Sequence, residues 1–245
     1  GLEILEQLDG KVDTILCPIG GGGIIAGIAV AAKGINPNIK IVGVQTANIP
    51  SMQESMKNGE VTTAFKSTTI ADGIAVKTPG DVTFEIINEL VDEVVVVEED
   101  EIAQGMLFLM ENQKVVAEGA GAVTTAALLS GKYVPKKDEN VVCVISGGNV
   151  DVNTLYRVIG TALTKEARRY SFNTVIQDKP GGLAELTKII SEYDANILSA
   201  NLSRSSMGGA LGSLTAEMVL ETFNHDHIDK LKVAITKAGF EIVEI

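Results

Sequence analysis

The chain has 245 residues, of which 45% are apolar and 21% charged, and its formal net charge is −12. At roughly 150 residues per domain, this length predicts one large globular domain and a smaller one. The negative charge argues against binding to the phosphate backbone of nucleic acid. The longest apolar stretch, residues 24–32, is too short to span a bilayer, so we expect neither a nucleic-acid nor a membrane partner.

The cysteine content indicates a reducing compartment. Cys17 and Cys143 each lie inside an apolar, strand-like run, where buried free thiols are expected rather than a disulfide or a metal site. We therefore predict a cytoplasmic protein. The chain begins at Gly1, without a methionine and directly before a helical pattern, which suggests that upstream sequence is missing.

Strand-like and helical patterns alternate through the first two thirds of the chain. The run of four valines at 94–97 is typical of a strand that is covered on both faces of a parallel sheet. We therefore predict an α/β domain with a parallel sheet over residues 1–165. The predicted strands are 12–18, 40–46, 92–98 and 141–145, and the predicted helices are 24–33, 52–58, 81–90, 99–112, 119–130 and 151–164.

Four consecutive glycines, Gly20, Gly21, Gly22 and Gly23, end the first predicted strand and open a helix of small residues. Glycine allows backbone N–H groups to turn inward, and the first turn of a helix has unpaired N–H groups with a partial positive charge. The loop is therefore predicted to bind one phosphate group of a ligand. The alternative is a glycine-rich turn that only packs the helix against the strand.

A nicotinamide dinucleotide fits this loop less well than a ligand with one phosphate. The next predicted strand ends on Gln45 and Thr46, where a dinucleotide-binding fold usually has an acidic residue for the ribose. A dehydrogenase is therefore the third hypothesis for this chain, behind two others given below.

The pattern changes after residue 165. The order of predicted elements becomes strand 170–177, helix 183–193, strand 196–205, strand 213–222, helix 227–238 and strand 240–245. This βαββαβ order predicts a ferredoxin-like α+β domain, in which two helices cover one face of a four-stranded antiparallel sheet. The turn at 178–182 and the residue Asn196 are candidates for binding a small ligand, although both are compatible with ordinary turns.

The motifs Gly20–Gly23, Asp72-Gly73, 118–122 and Ser146-Gly-Gly-Asn149 together resemble the fold-type-II pyridoxal-phosphate enzymes, above all the threonine ammonia-lyases (threonine dehydratases). The resemblance covers essentially the whole chain, and the region after residue 165 resembles an ACT domain. It implies a lyase domain at 1–165, the C-terminal portion of such a domain, and an ACT regulatory domain at 166–245.

The resemblance also implies a cofactor site for pyridoxal 5'-phosphate. Its phosphate-binding residues are Gly20, Gly21, Gly22, Gly23 and Ile24, and the Ser146 hydroxyl is the partner of the pyridine nitrogen. A neutral hydroxyl does not hold the ring protonated, so the cofactor becomes a weaker electron sink. That favours β-elimination, which turns L-threonine, with L-serine as a further candidate substrate, into a keto acid and ammonia, with 2-oxobutanoate formed from threonine.

One departure from the family concerns catalysis. The Schiff-base lysine of the family lies in a motif upstream of the tetraglycine loop, and no such motif occurs in these residues, so no catalytic residue is predicted in this chain. Two hypotheses remain. The chain is the C-terminal part of a threonine ammonia-lyase that is inactive alone, or it is a non-catalytic amino-acid-binding ACT module on a remnant scaffold.

A second departure concerns metal ions. Relatives such as serine racemase have acidic residues just after the second strand, whereas this chain has Gln45, Ala47 and Ser51, and we expect no metal there. The pair His225 and His227 is interpreted as a solvated helix start, since two histidines leave a metal incompletely coordinated.

The ACT resemblance implies an effector site for a free amino acid, with isoleucine or valine as the expected ligand. Its residues are predicted to be Gly182, Leu183, Asn196 and Ile197. Such domains typically pair side by side, so a homo-oligomer, dimer or tetramer, is expected. Glu118 has two possible roles at this stage, one near the cofactor and one as a cap of the helix that begins at Gly119.

Overall fold

The computed structural model describes residues 1–65, 68–204 and 212–244. The chain forms two compact units, Gly1–Ala162 and Leu163–Ile245. The predicted strand ends at Ser205 and Ile245 lie outside the described residues. Among the helices of the described residues, none has the length and the apolar character needed to cross a bilayer.

The first unit alternates helices and strands as the sequence predicts, with ends shifted by a few residues. The predicted helix 99–112 is α-helical only to Phe108 and continues as one π-helical turn. The elements are α1 Leu2–Gln7, β1 Thr14–Pro18, α2 Gly23–Ile35, β2 Lys40–Thr46, α3 Ser51–Asn58, a 3₁₀ turn Asp72–Ile74, α4 Asp81–Leu90, β3 Glu93–Val97, α5 Glu99–Phe108, the π turn Leu109–Gln113, α6 Gly119–Leu129, β4 Val141–Cys143 and α7 Val152–Lys165, whose end lies in the second unit.

The strands of the first unit form a parallel sheet in the order β3-β2-β1-β4. The parallel sheet that the run of valines predicts is therefore confirmed. β1 and β2 are buried along almost their whole length, since helices cover both faces. Their alternate side chains enter two cores, one with α2, α3 and α4 and the other with α5 and α6.

Because the strands are parallel, the loops that follow them all lie at one edge of the sheet, called here the carboxyl edge. Gly20 follows β1, Asn48 follows β2, Glu99 follows β3 and Ser146 follows β4. In open parallel sheets, ligands bind at this edge. β1 and β4 are direct neighbours, so the loops at Gly20 and at Ser146 begin on adjacent strands.

The two cysteines are free thiols, as the sequence predicts. Burial raises the pKa of Cys17 to about 12 and that of Cys143 to about 11. Neither thiol is therefore a nucleophile at neutral pH.

The second unit has the βαββαβ order that the sequence predicts. Its elements are β5 Arg169–Gln177, α8 Gly182–Glu192, β6 Asn196–Ser203, β7 Ser213–Glu221, α9 His225–Lys237 and β8 Val243–Glu244. They form an antiparallel sheet in the order β6-β7-β5-β8. Phe172 and Ile176 of β5 form one core with Leu186 of α8 and Leu231 of α9.

The last strand is shorter than the predicted strand 240–245. Gly239 has a φ of +92° and ends α9, and the Phe240 N–H group donates to the Ile235 carbonyl. Phe240 therefore belongs to the end of the helix, and β8 begins only at Val243.

A polar cluster fixes the amino ends of the strands in the first unit, opposite the carboxyl edge. The Glu139 carboxylate accepts hydrogen bonds from the Thr14 hydroxyl (2.5 Å), the Tyr133 hydroxyl (2.5 Å) and the Lys136 N–H group (2.6 Å). These donors lower the pKa of Glu139 to about 2, and the Thr14 hydroxyl has the largest effect.

We expect Glu139→Gln to destabilise the first unit at neutral pH by about 1–3 kcal/mol, because bonds to an ionised acceptor are lost. The pKa of Glu139 is lower in the folded than in the unfolded chain, so its stabilisation is complete above the unfolded value of 4.5 and is lost as the pH falls toward 2. Urea unfolding at pH 7, 4 and 3 checks this. The difference between the variant and the natural sequence should shrink from pH 7 to pH 4 and shrink further at pH 3, and Glu60→Gln, at an exposed site, should change nothing. A constant difference at all three pH values would contradict the assignment.

Candidate functional site: a phosphate-binding loop at the carboxyl edge

The tetraglycine loop leads from β1 into α2. Gly22 is the N-cap of α2 and has a φ of +93°, a conformation that L side chains rarely adopt. A Cβ atom at Gly22 would lie 2.7 Å from Ile87 Cδ1 and 3.0 Å from Thr83 Cβ, whereas one at Gly21 or Gly23 would meet nothing within 4 Å. The loop is therefore packed on α4 on one side and open on the other.

The backbone N–H groups of this loop have no acceptor among the described residues. In the residues that the structure describes, the amides of Gly20 through Ile25 donate no hydrogen bond, and the first such bond of α2 is from Ala26 to the Gly22 carbonyl (3.0 Å). Gly22 and Ile25 are buried, where an unpaired N–H group is costly. A run of unpaired donors at the positive end of a helix is the arrangement that binds a phosphate.

Two neighbouring segments hold the loop in this conformation. The Thr83 hydroxyl of α4 donates to the Gly21 carbonyl at 2.6 Å. On the other side, a Cβ at Gly20 would lie 3.0 Å from Ile74 Cα, so the 3₁₀ turn Asp72–Ile74 lies directly against Gly20. The Asp72-Gly73 loop of the sequence analysis thus supports the glycine loop.

Ser146 lies three residues after β4, and its side chain is exposed at the carboxyl edge. The Val144 N–H group donates to the Leu16 carbonyl at 3.0 Å, which extends the pairing with β1 toward the loop. The structure therefore brings Ser146 and Gly20–Gly23 to neighbouring positions on one edge, as a single ligand with a phosphate and a ring would need.

A cavity of about 650 Å³ lies at the same edge. Its lining includes Asn48, Asp72, Glu99, Glu118 and Asn149, from loops that follow different strands. The Glu99 carboxylate accepts from the Thr46 hydroxyl (2.9 Å) and from the Ile70 N–H group (2.7 Å), which joins two of these loops.

The end of β2 offers no acceptor for a ribose. Gln45 is fully buried, and its side chain donates to the Ile19 carbonyl (3.3 Å) and accepts from the Gln53 N–H group (2.9 Å). Thr46 is also fully buried and donates to Glu99. These bonds support the argument against a dinucleotide.

A family model described as "Pyridoxal-phosphate dependent enzyme" matches residues 1–147. The chain belongs to this family.

Relatives within the family include the L-threonine ammonia-lyase of Thermotoga maritima, 46% identical over 99% of this chain, and that of Geobacter sulfurreducens, 43% identical over 98%. The chain spans 60% and 59% of the lengths of these two proteins. The catabolic L-threonine dehydratase of Escherichia coli K12 is 50% identical over 65% of this chain and is covered over 49% of its own length.

Solved structures show the same relationship. Maize serine racemase superimposes with a TM-score of 0.60 at 36% identity, over 68% of this chain and 51% of its own. The processed form of threonine deaminase isoform 2 from Solanum lycopersicum has a TM-score of 0.60 at 35% identity, over 65% and 47%. The parallel-sheet unit therefore has the fold-type-II architecture that the sequence resemblance implies.

The residues at the carboxyl edge fit the cofactor of this family. The unpaired amides from Gly20 to Ile25 suit its phosphate, and the open side of Gly21 and Gly23 leaves room for it. Pyridoxal phosphate is thus the cofactor of the family to which this chain belongs, and its assignment to Gly20–Ile24 and Ser146 is a prediction that agrees with this geometry.

In the part of the chain that the structure describes, no group of three or more histidine, cysteine and acidic residues is placed to hold a metal ion. The Ser51 hydroxyl donates to the Val76 carbonyl at 2.7 Å. Both ring nitrogens of His227 contact the backbone, one at 2.6 Å from the Tyr193 carbonyl and the other accepting from the Phe223 N–H group at 3.1 Å.

The predicted effector residues do not come together within one chain. Asn196 and Ile197 begin β6 and pair with Glu221 and Leu220 at the end of β7. Gly182 and Leu183 begin α8, after the opposite end of β5. β5 and β6 are both antiparallel to β7, so the two pairs lie at opposite ends of the sheet.

The sequence analysis missed one side chain and one contact that shape the site. Thr83 has only its position in the first turn of α4 as a signal, and its bond to the Gly21 carbonyl depends on how α4 packs. The Asn149 N–H group donates to a carboxylate oxygen of Glu118 at 3.1 Å, a contact between residues 31 positions apart. Neither contact follows from a local pattern.

Gly21 allows a clean test of the phosphate site, because it has open space in front of its Cβ position and no positive φ. We expect Gly21→Asp to weaken pyridoxal phosphate binding by a factor on the order of 100, since it places a carboxylate against a phosphate. Gly21→Asn has the same size without the charge and should retain affinity within about tenfold.

Titration of each variant with pyridoxal phosphate, followed by the absorbance of the bound cofactor, makes the comparison. Equal losses in the two variants would show that bulk rather than charge matters, and no loss in either would remove Gly21 from the site.

Proposed function

We propose that the natural protein containing this chain is a threonine ammonia-lyase, which converts L-threonine to 2-oxobutanoate and ammonia, and acts on L-serine as a second substrate. The observation that carries this proposal is that the unpaired amides of Gly20–Ile25 and the exposed Ser146 hydroxyl follow two adjacent strands of one sheet. The names of relatives at 43–46% identity support the choice of threonine.

The residues of this chain have distinct tasks in that reaction. The amides of Gly20 to Ile24 bind the phosphate, and the Ser146 hydroxyl donates to or accepts from the pyridine nitrogen without a formal charge. Bound pyridoxal phosphate supplies the electron sink for breaking bonds at the substrate carbon next to the amino group. With a neutral partner at the ring, loss of the β-hydroxyl is favoured over amino transfer.

Assay of 2-oxobutanoate release from L-threonine tests the proposal. We expect the natural protein to form 2-oxobutanoate and Ser146→Ala to lower kcat by about 2- to 13-fold, the effect of one neutral hydrogen bond of about 0.5–1.5 kcal/mol. Ser130→Ala removes a hydroxyl at the far end of α6 and should have no effect. Absence of 2-oxobutanoate, or equal rates in the two variants, would contradict the proposal.

We further propose that residues 1–165 are the C-terminal portion of the lyase domain and that residues 166–245 are an ACT regulatory domain. The support is the βαββαβ order and the strand order of the second unit. The turn before α8 is held by a bidentate ion pair, in which Arg204 donates to the Asp178 carboxylate at 2.9 and 3.2 Å. Arg204 lowers the pKa of Asp178 and keeps it ionised.

Since the two predicted pairs of effector residues lie at opposite ends of one sheet, a site that uses both needs two copies of the chain. The start of α8 in one copy would then face Asn196 of another, in keeping with the expected dimer or tetramer. The proposed ligand is isoleucine or valine. A substitution at Gly182 is unsuitable as a test, because a Cβ there would lie 2.2 Å from the Gln177 carbonyl oxygen and distort the turn.

Calorimetric titration of the natural protein with isoleucine, valine, threonine and serine tests the regulatory site. We expect isoleucine or valine to bind, and both Asn196→Ala and Asp178→Asn to weaken binding by about tenfold or more. Lys237→Gln, which changes an exposed side chain, is the control variant and should leave binding unchanged. No binding at millimolar concentration in a monomeric protein would contradict the site. Amino-acid binding without any turnover would instead favour the non-catalytic module.

A further inference from the structure

Glu118 lies at the N-cap position of α6, but its side chain does not cap the helix. No hydrogen bond joins its carboxylate to the first amides of α6. The carboxylate instead accepts from the Asn149 N–H group at 3.1 Å, and the Glu118 N–H group donates to the Gly147 carbonyl at 3.1 Å. Glu118 is thus bonded on both sides to the loop that carries Ser146.

The contacts around this carboxylate leave no room for side chains. A Cβ at Gly147 would lie 2.3 Å from Glu118 Oε1, and a Cβ at Gly121 would lie 2.4 Å from the Gly147 carbonyl oxygen. A side chain at Gly147 would therefore push the Glu118 carboxylate away from its position. Because these two glycines have no side chains, the loop of Ser146 packs closely against the first turn of α6.

The same carboxylate also lies close to the support of the phosphate loop. A Cβ at Gly73 would lie 3.2 Å from Glu118 Oε1, and one at Gly20 would lie 3.5 Å from the Gly73 carbonyl oxygen. Gly20 thus packs against the 3₁₀ turn Asp72–Ile74, this turn lies next to Glu118, and Glu118 is hydrogen-bonded to the loop of Ser146. These contacts join the loop of Ser146 to the phosphate loop by a second route, beside the pairing of β4 with β1.

We propose that Glu118 is a positioning residue that fixes the Ser146 hydroxyl relative to the tetraglycine loop. The proposal rests on the proposed function, in which both ends of one cofactor contact these two loops. Glu118 acts through the Asn149 N–H bond and the Gly147 contact, and it does not itself touch the substrate. Removal of the acceptor frees the loop, so the Ser146 hydroxyl no longer meets the ring nitrogen.

Variants at two positions test this in the natural protein. Glu118→Gln keeps an acceptor for the Asn149 N–H group, and it should retain kcat and the absorption maximum of the bound pyridoxal phosphate. Glu118→Leu has a similar size without an acceptor. It should shift the absorption maximum to that of Ser146→Ala and lower kcat by about 2- to 13-fold. Gly147→Ala, which displaces the carboxylate from the other side, should do the same.

The double variant Glu118→Leu/Ser146→Ala separates positioning from a merely structural role. If Glu118 acts through Ser146, the double variant should match Ser146→Ala alone within about twofold. Affinity for pyridoxal phosphate should change by less than about threefold, because the phosphate loop keeps its amides. As a control, Glu101→Leu removes another carboxylate that accepts from a backbone N–H group at a helix start, 2.8 Å from Glu98 N. It should leave the spectrum unchanged.

Additive effects in the double variant, or a natural spectrum in Glu118→Leu, would overturn the proposal. A shifted spectrum in Glu101→Leu would also overturn it, since any lost carboxylate would then suffice. The spectrum is read without substrate, so the test of Glu118 stands even if the protein fails to deaminate threonine. If the proposed function and the proposed role of Glu118 are both wrong, the protein should bind no pyridoxal phosphate.

Discussion

The other contacts of the site depend on one constraint, which is that the backbone N–H groups from Gly20 to Ile25 are unpaired. Buried N–H donors are unfavourable unless a ligand supplies acceptors for them. This chain holds them in place from both sides, by the Thr83 hydroxyl on the Gly21 carbonyl and by the 3₁₀ turn against Gly20. A loop kept open in this way is organised before the ligand arrives, so less ordering is needed on binding.

The parallel sheet explains why the other groups of the site are near this loop. Strands that all run in one direction end at one edge, so residues distant in sequence, such as Gly20 and Ser146, are neighbours there. The amino ends have a different task. There Glu139 joins Thr14 to Tyr133 and stabilises the sheet without contacting the site. Stability and ligand binding are thus separated to the two edges.

Much of this arrangement could be predicted from the sequence, because it follows from local patterns. The four glycines, the run of valines and the βαββαβ order each have a physical reason within a short window. Contacts between distant segments could not be predicted in this way. Glu118 shows this most clearly, since its sequence position leaves open both a place near the cofactor and a helix cap, and only the packing of Gly147 on Gly121 brings its carboxylate to the Asn149 N–H group.

The predicted effector residues show a related limit. Gly182 and Asn196 are each plausible from local turn chemistry, but their separation depends on the direction of β5 and β6 relative to β7. Sequence patterns give the order of strands along the chain, whereas the ends of the sheet at which two turns lie follow from strand pairing. A regulatory site built from both turns therefore requires a second copy of the chain.

Amide hydrogen exchange tests most directly whether the N–H groups of Gly20 to Ile24 bind the phosphate of the cofactor. The account predicts that pyridoxal phosphate slows exchange at these five amides, while pyridoxal, which has no phosphate, leaves them unchanged. It also predicts no slowing in residues 212–244 with either compound. Equal protection by both compounds, or protection by pyridoxal phosphate at other amides only, would contradict the assignment of the phosphate to this loop.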